Sequence, residues 1–279
     1  MNLNVNGVWG VLSFTYLEAI RTKWLVIFGV LFFLIAVNIP VLLLSIAYGR
    51  PPASLVSSLG LGTSLSLAFP LVPLLALPFG AISIVEDRES GVLQYLLSNP
   101  ITKSEFLLGR SAGLLLATTT VFLLSFGAAA IAVYSSDSTQ SYLIMLALLI
   151  ITMLNAVMLA LGIVISEVTK RKVTAMGIGI FFWFLFTPVS DLGTLANALI
   201  FTIGPAAGAS LVFLDPLEAS RLIMVLQANL GVSQLGPTGV VALHVLGSNL
   251  LWGILGSLLV WFAVLTTVEF VVFMRQDAA

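Results

Sequence analysis

Few residues in this chain could carry out chemistry. Ser210 and the only histidine, His244, could together form a serine–histidine dyad for acyl transfer. The sequence has no cysteine, which excludes thiol nucleophiles, thiolate metal sites and disulfides. It also lacks a G-x-x-x-x-G-K-[ST] phosphate-binding loop and an H-E-x-x-H zinc motif. The sequence therefore predicts a chain that is not an enzyme and holds no metal or cofactor of its own.

The most informative polar residues lie together between positions 86 and 106. An acidic patch comes first, then a short amphipathic helix, then a proline that stops it, because the residue before proline avoids the α region. This pattern predicts either a helix that docks a cytoplasmic partner or one that rests on lipid headgroups. The residues are Glu86, Asp87, Arg88 and Glu89 in the patch, then Gly91, then Val92, Leu93, Leu96 and Leu97 on one side of the helix, and Pro100 at the stop.

The next helix has its own start signal. Thr102 and Glu105 have the spacing of a capping box, in which each side chain binds a backbone N–H group of the first helical turn. A loop that only joined two helices would not need an acidic patch, a helix, a stop and a cap in succession.

Composition places these residues in a membrane protein. Of the 279 residues, 59% are hydrophobic and 8% are charged, whereas a soluble domain is about 25% charged. Long windows without Asp, Glu, Lys or Arg are each long enough for the roughly 20 residues that cross a bilayer as a helix. The net charge of −1 gives no reason to expect a nucleic-acid partner. We predict a single all-α membrane domain over residues 1–279, and no cleavable signal peptide.

The charge-free windows predict six transmembrane helices, at residues 25–47, 61–85, 106–134, 142–166, 173–189 and 246–272. With both chain ends in the cytoplasm, nine of the eleven basic residues lie on the cytoplasmic side, which is the usual distribution. Residues 194–214 are apolar but contain Gly204, Pro205 and Gly208, so we expect a re-entrant or interfacial element there. A seventh span at that place is the alternative.

An interfacial helix is predicted before the first span, at residues 8–20. Trp9, Phe14 and Tyr16 suit the headgroup zone, and Arg21 and Lys23 mark its cytoplasmic face. Glu18 is either solvated or a contact to a cytoplasmic partner.

A second amphipathic helix is predicted before the last span, at residues 215–231. Asp215 is placed as its N-cap, Pro216 as its first helical residue, and Glu218 completes the capping pattern. We expect this helix, which also carries Arg221, to lie on the outer surface. It would either dock an extracytoplasmic protein or close the outer end of the bundle.

The segment from Glu86 to Phe106, followed by Gly109 and Arg110, resembles the cytoplasmic loop of type-2 ABC transporter permeases. Those proteins have an acidic stretch ending in glycine, a leucine-rich helix, a proline stop and a Gly-Lys pair opening the next span. This chain has Val92 where Thr is usual and Arg110 where Lys is usual. The segment at 215–222 is similar to one found in a branch of the family that serves maturation of nitrous oxide reductase.

The resemblance implies a permease that works as a homodimer in the cytoplasmic (inner) membrane, together with two copies of a separate ATPase that binds ATP and Mg. It implies that residues 86–100 contact that ATPase and that the N-terminal helix lies beside it. It also implies either export or conformational work on a periplasmic or extracellular accessory protein, as in metalloenzyme maturation.

Two other classes stay open. A rhomboid-like intramembrane protease would use Ser210 and His244, but Leu211 stands where a glycine is expected. A secondary transporter or channel usually keeps ionisable groups inside its spans, and beyond Arg110, near the start of the third, the six predicted spans contain only Glu269. Their polar residues, such as Asn155, fit hydrogen bonds between helices better.

Overall fold

A computed structural model describes residues 5–49, 53–98, 101–134, 138–189, 212–227 and 243–276. The described backbone is all-helical, as the sequence predicted. The helices are α1 (Val5–Arg21), α2 (Lys23–Tyr48), α3 (Ala53–Glu89), α4 (Val92–Leu97), α5 (Lys103–Tyr134), α6 (Ser138–Val168), α7 (Lys172–Phe184), α8 (Pro216–Gln227) and α9 (Leu250–Arg275). A π-helical turn, Leu185–Val189, extends α7, and a 3-10 turn, Gly247–Asn249, precedes α9.

Four of the described helices are long and apolar enough to cross a bilayer: Phe69–Glu89, Lys103–Ala128, Ser141–Val168 and Leu250–Arg275. A fifth crossing is possible if α1 and the first part of α2, which meet at an angle of 64°, count as one broken span. The sequence predicted six spans. The first predicted span lies within α2, which counts as a crossing only together with α1. The fifth coincides with α7 and its π-helical turn, which are shorter than the four helices given above.

The centre of the bundle is a close contact between α3 and α6. A Cβ atom on Gly80 would lie 2.7 Å from the carbonyl oxygen of Leu159, and one on Gly162 would lie 2.6 Å from that of Leu77. The Ser166 hydroxyl oxygen also accepts hydrogen bonds from the α3 backbone, at 2.9 Å from the Ile84 amide. Only glycine allows two helix backbones to approach so closely, which is the usual device where helices pack in membranes.

Helix α3 contains three prolines, Pro70, Pro73 and Pro78, and remains one helix from end to end. Its described apolar side chains are largely buried because α2, α6 and α7 pack around it. The Trp183 indole, where α7 leads into the π-helical turn, donates a hydrogen bond of 2.9 Å to the Pro70 carbonyl. Neighbouring helices therefore support the proline-rich helix, as expected of such helices in membranes.

Helix α1 differs from a helix lying only on headgroups, because one of its faces packs on α5. Val11 and Thr15 are buried there. A Cβ atom on Gly109 would lie 2.7 Å from Val11 Cβ, and one on Gly113 would lie 2.7 Å from Thr15 Cβ. The opposite face is apolar and exposed, as an interfacial helix requires, and carries Val5, Trp9, Phe14 and Leu17.

Helix α8 lies inside the bundle, whereas we expected it on the outer surface. Nine of its twelve residues are buried, including Glu218, and it contacts α3, α6 and α9. The reason is composition, because only Glu218, Arg221 and Gln227 carry long polar side chains. The Tyr142 hydroxyl at the start of α6 donates to Gln227 Oε1 over 3.5 Å. This places α8 near the end of the bundle at which α6 begins. Of the two predictions, a helix that closes the bundle therefore describes α8 better than a helix that docks a partner at the surface.

At the opposite end, helices α3, α6 and α9 finish, while α5 and α7 begin. Arg88 at the end of α3 bonds to the carbonyl of Glu167 in the last turn of α6 and to that of Thr169 just past it. It also bonds to Gln276, just past α9. We call this the α4 end of the bundle.

Candidate functional site at the α4 end

Arg110 of α5 joins three helices at the α4 end. Its Nη1 atom lies 2.5 Å from the Glu18 carboxylate of α1, and its Nη2 atom donates to Asp87 Oδ1 of α3 over 3.0 Å. The same Nη2 atom donates to the Ser83 carbonyl over 3.2 Å, and Nη1 reaches Thr15 Oγ1 at 3.4 Å. The planar guanidinium can serve several acceptors in fixed directions, which an ammonium group does less well.

Asp87 and Arg110 are both buried, with about 7% and 8% of their side chains exposed. Two charges in such a place are stable only as a pair, because either one alone would lose its hydration without compensation. Glu18, by contrast, is half-exposed, so its bond to Arg110 contributes less to the stability of the fold than the bond between Asp87 and Arg110. We call Glu18, Asp87 and Arg110 the arginine junction.

Two acidic residues of the patch stay at the surface and contact α7. Glu86 Oε1 lies 2.5 Å from Lys172 Nζ, and Glu89 Oε1 accepts a hydrogen bond of 3.1 Å from the Lys172 backbone amide. Both ends of the Lys172–Glu86 pair are more than 40% exposed, so its contribution is about 0 to 1 kcal/mol.

Arg88 faces the inside of the bundle end. Its Nη2 atom donates to Gln276 Oε1 over 2.6 Å, and Gln276 Nε2 donates to the Glu167 carbonyl over 2.9 Å. Lys103, at the start of α5, donates to the Gln276 carbonyl over 2.6 Å. These bonds satisfy carbonyls at the ends of α6 and α9, which have no partner within their own helices.

Helix α4 follows directly from α3 through Gly91, whose φ of 77° lies in the left-handed region that favours glycine. Leu93 is buried and Leu96 packs on the core, so this part of the predicted docking face is turned towards the chain's own bundle. Their burial follows from the sharp turn at Gly91, which folds α4 back. Val92 and Tyr95 are exposed, by 38% and 73%.

The residues that were predicted to contact the ATPase thus separate into two groups. Asp87, Arg88, Leu93 and Leu96 are engaged inside the chain, whereas an exposed strip with a spacing of three residues lies at the surface. The side chain of Leu97 and the whole of Pro100 lie outside the described residues. The exposed strip consists of Glu86, Glu89, Val92 and Tyr95.

Both predicted caps are confirmed. The Thr102 amide donates to Glu105 Oε2 over 2.9 Å, and the Glu105 amide donates to Thr102 Oγ1 over 3.3 Å, which is the reciprocal pattern of a capping box. At α8, Asp215 Oδ1 accepts from the amides of Leu217 and Glu218, over 2.9 and 3.3 Å.

The other predicted residues have different surroundings. Arg21 and Lys23 are exposed at the bend between α1 and α2. At α8, Pro216 and Glu218 are buried, and Arg221 Nη1 lies 3.3 Å from Glu218 Oε2. Only Asp215 and Arg221 of that set are partly exposed. Ser210 lies outside the described residues, and His244 is exposed.

Sequence reasoning missed two buried polar groups and one hydrogen bond between helices. Arg110 was noted only as part of the Gly-Arg pair, although an arginine just inside a span needs a partner. Glu167, next to the predicted end of the fourth span, is 1% exposed, and neither carboxylate oxygen has a hydrogen-bond partner among the described residues. The Ser111 hydroxyl donates to Glu269 Oε1 between α5 and α9.

Long apolar helices joined at one end by a polar junction define a multi-pass integral membrane protein. Residues 16–278 match the family model of ABC-2 family transporter proteins, and the chain belongs to that family. It is therefore a permease component of an ABC transporter.

Two curated relatives carry the name "Probable ABC transporter permease protein NosY". The protein from Stutzerimonas stutzeri is 28% identical over 284 residues, covering 98% of this chain and 99% of its own length. The protein from Pseudomonas aeruginosa strain PAO1 is 29% identical over 229 residues, covering 77% of this chain and 80% of its own length. The resemblance to type-2 ABC permeases, and within them to the NosY branch, is thereby confirmed.

Proposed function

We propose that this permease receives mechanical work from a separate ABC ATPase through the exposed strip and passes it to the bundle through the arginine junction. The observation that carries the proposal is the position of Arg110, which bonds to α1 and α3 directly behind the strip. A push on Glu86, Glu89, Val92 or Tyr95 acts on the α3–α4 segment, to which Asp87 also belongs.

The physical basis is that α4 is not a free arm. Leu93 and Leu96 hold it against the core, and Asp87 holds the last turn of α3 to α5. A displaced α4 therefore moves packed helices as bodies instead of bending a loop, and such movements occur between discrete packings.

The working assembly we propose is a homodimer with two ATPase copies, in the inner (cytoplasmic) membrane. ATP and Mg are bound by the ATPase, and this chain acts as a non-catalytic subunit. We propose six spans with both chain ends in the cytoplasm, so that the α4 end faces the ATPase. The basic residues Arg88, Lys103, Arg110 and Lys172 lie at that end, which agrees with the usual excess of basic residues on the cytoplasmic side.

For the opposite end of the bundle we propose contact with an extracytoplasmic accessory protein. Asp215 and Arg221 are partly exposed polar residues of that region, and the buried part of α8 holds them in place. We favour transmission of conformational work to such a protein, as in maturation of a metalloenzyme, because both relatives described above are NosY permeases. Export of an apolar molecule is the alternative within the same class.

The test is purification of the tagged chain from its native membranes, with detection of a copurifying ATPase and of ATP hydrolysis. We expect both with the wild-type chain. Tyr95→Arg should lower ATPase recovery at least about tenfold, because an exposed tyrosine of this kind is a typical interface hot spot. Gln94→Arg is the matched control, since Gln94 is also exposed but lies outside the exposed strip.

Absence of any ATPase from the wild-type preparation would contradict the assignment to an ATP-driven assembly. Equal ATPase recovery with Tyr95→Arg and wild type would instead remove the exposed strip as the contact surface.

A further inference from the structure

A cavity of about 220 Å³ lies between α5, α6 and α9. Most of its wall is apolar, with Leu115, Leu159 and Phe262 among the lining side chains. The space exists because several neighbouring positions carry only a methyl group, namely Ala112, Ala156 and Ala160. A smaller apolar cavity of about 150 Å³ is enough to hold a benzene ring in a protein core, so this one is large enough for part of an organic molecule.

One carboxyl group lines this apolar space. Glu269 is 4% exposed and accepts a hydrogen bond from Ser111, which also lines the cavity. No lysine or arginine lies within ion-pair distance of Glu269 in the described part of the chain. The third polar lining residue, Thr266, donates its hydroxyl to carbonyls of its own helix. The cavity therefore offers an acceptor for a positive group and no positive group of its own.

The carboxyl group also has a definite position along the helices. Glu269 lies six residues before the end of α9, and Phe262 lies seven residues further in, a rise of about 10 Å. The polar pair is thus nearer the α4 end, and the apolar wall extends towards the middle of the span. An amphiphile would fit with its polar group at Glu269 and its apolar body beside Leu115 and Phe262.

We propose that this cavity binds a lipophilic amine, meaning an apolar chain or ring that carries one ammonium group. Apolar walls alone give little preference over bilayer hydrocarbon, which is equally apolar. Selectivity must therefore come from Glu269, where a cation supplies the partner that a buried carboxylate needs. An alcohol of the same length would donate a hydrogen bond to the carboxylate but leave its negative charge uncompensated, and a second carboxylate would be repelled.

The inference does not depend on coupling to an ATPase, because binding can be measured on the full chain alone in nanodiscs of zwitterionic lipid. The probe is radiolabelled octylamine, compared with octanol and octanoate, and binding to empty nanodiscs is subtracted. We expect octylamine to bind at least about tenfold more tightly than octanol, because only the amine compensates the charge of the buried carboxylate. Glu269→Gln should remove that preference.

A second variant tests the cavity without touching its carboxyl group. Ala160→Phe fills the apolar part and should abolish saturable octylamine binding. Ala263→Phe, on an exposed position of α9 that does not line the cavity, should leave binding unchanged. The proposal is overturned if octylamine and octanol bind equally, if Glu269→Gln keeps the preference for the amine, or if both phenylalanine variants behave alike.

Discussion

The guanidinium of Arg110 lies 3.0 Å from the Asp87 carboxylate, inside the bundle and directly behind the surface that we assign to the ATPase. The two residues are 23 positions apart and belong to helices on either side of α4. Their bond links the end of α3 to the start of α5, the two helices that α4 connects. Movement of α4 relative to α5 therefore has to strain or break this bond, or carry both helices together.

Arg110→Met should lower the stability of the protein by about 3 to 5 kcal/mol, because it leaves the buried Asp87 charge without its partner. Thermal unfolding of the purified chain in detergent measures this, relative to Lys170→Met, which removes an exposed lysine at the same end. Addition of Asp87→Asn to Arg110→Met should recover part of the loss. If the two substitutions have strictly additive effects, the Arg110–Asp87 bond is not the source of the stability.

Gly162→Ala should destabilise the bundle by about 1 to 3 kcal/mol, because the new methyl group would meet the Leu77 carbonyl oxygen at 2.6 Å. Gly256→Ala is the matched control on α9, where no atom lies within 4 Å of the new methyl group. The control should be neutral or slightly stabilising, since alanine favours helix over glycine by about 1 kcal/mol. Thermal unfolding of the two variants side by side measures the difference, and equal melting temperatures would contradict the close approach of α3 and α6.

Asp87→Asn and Glu167→Gln should have opposite effects on stability, although both replace a buried carboxyl group near the α4 end by an amide. Asp87→Asn weakens an ion pair and should cost about 1.5 to 3 kcal/mol. Glu167→Gln replaces a buried carboxyl group whose oxygens have no hydrogen-bond partner among the described residues, so it should cost nothing or stabilise. Denaturation of both variants at neutral pH gives the comparison. A loss with Glu167→Gln as large as that with Asp87→Asn would show that Glu167 is paired.

Asp215→Ala should cost about 0.5 to 2 kcal/mol, because two amides at the start of α8 lose their acceptor. Thr22→Ala provides the control, since Thr22 precedes α2 without forming a side-chain cap. Hydrogen exchange at the first turn of α8, followed by mass spectrometry, is the direct measurement. Unchanged protection in Asp215→Ala would mean that burial alone holds this end of α8.

The sequence alone was sufficient to predict those features whose stabilising interactions join residues close together in the chain. The capping box at Thr102 and Glu105 and the N-cap at Asp215 depend on residues three positions apart or closer, and both were predicted. The all-helical class followed from long windows without charge. Asn155 was expected to bond between helices, and its amide donates to Thr118 Oγ1 of α5 over 2.9 Å.

Contacts between distant segments could not be deduced in the same way. The spacing of Val92, Leu93 and Leu96 defines an apolar face of α4 but not what covers it, and the turn at Gly91 directs Leu93 into the chain's own core. The burial of α8 could not be predicted for the same reason. Its amphipathic pattern does not distinguish a membrane surface from a space between helices, and α3, α6 and α9 provide that space.

The close fit of Gly80 against Gly162 has a consequence for biosynthesis. Because α6 leaves the ribosome after α3 and α5, the groove beside Gly80 and the Ile84 and Val85 amides that bind Ser166 cannot obtain their final partner when α3 is first inserted. Nascent chains that end before Gly162 therefore present an incomplete polar and steric surface to lipid. Such truncated products should be recognised by membrane quality-control proteases, while chains that include Ser166 should escape degradation.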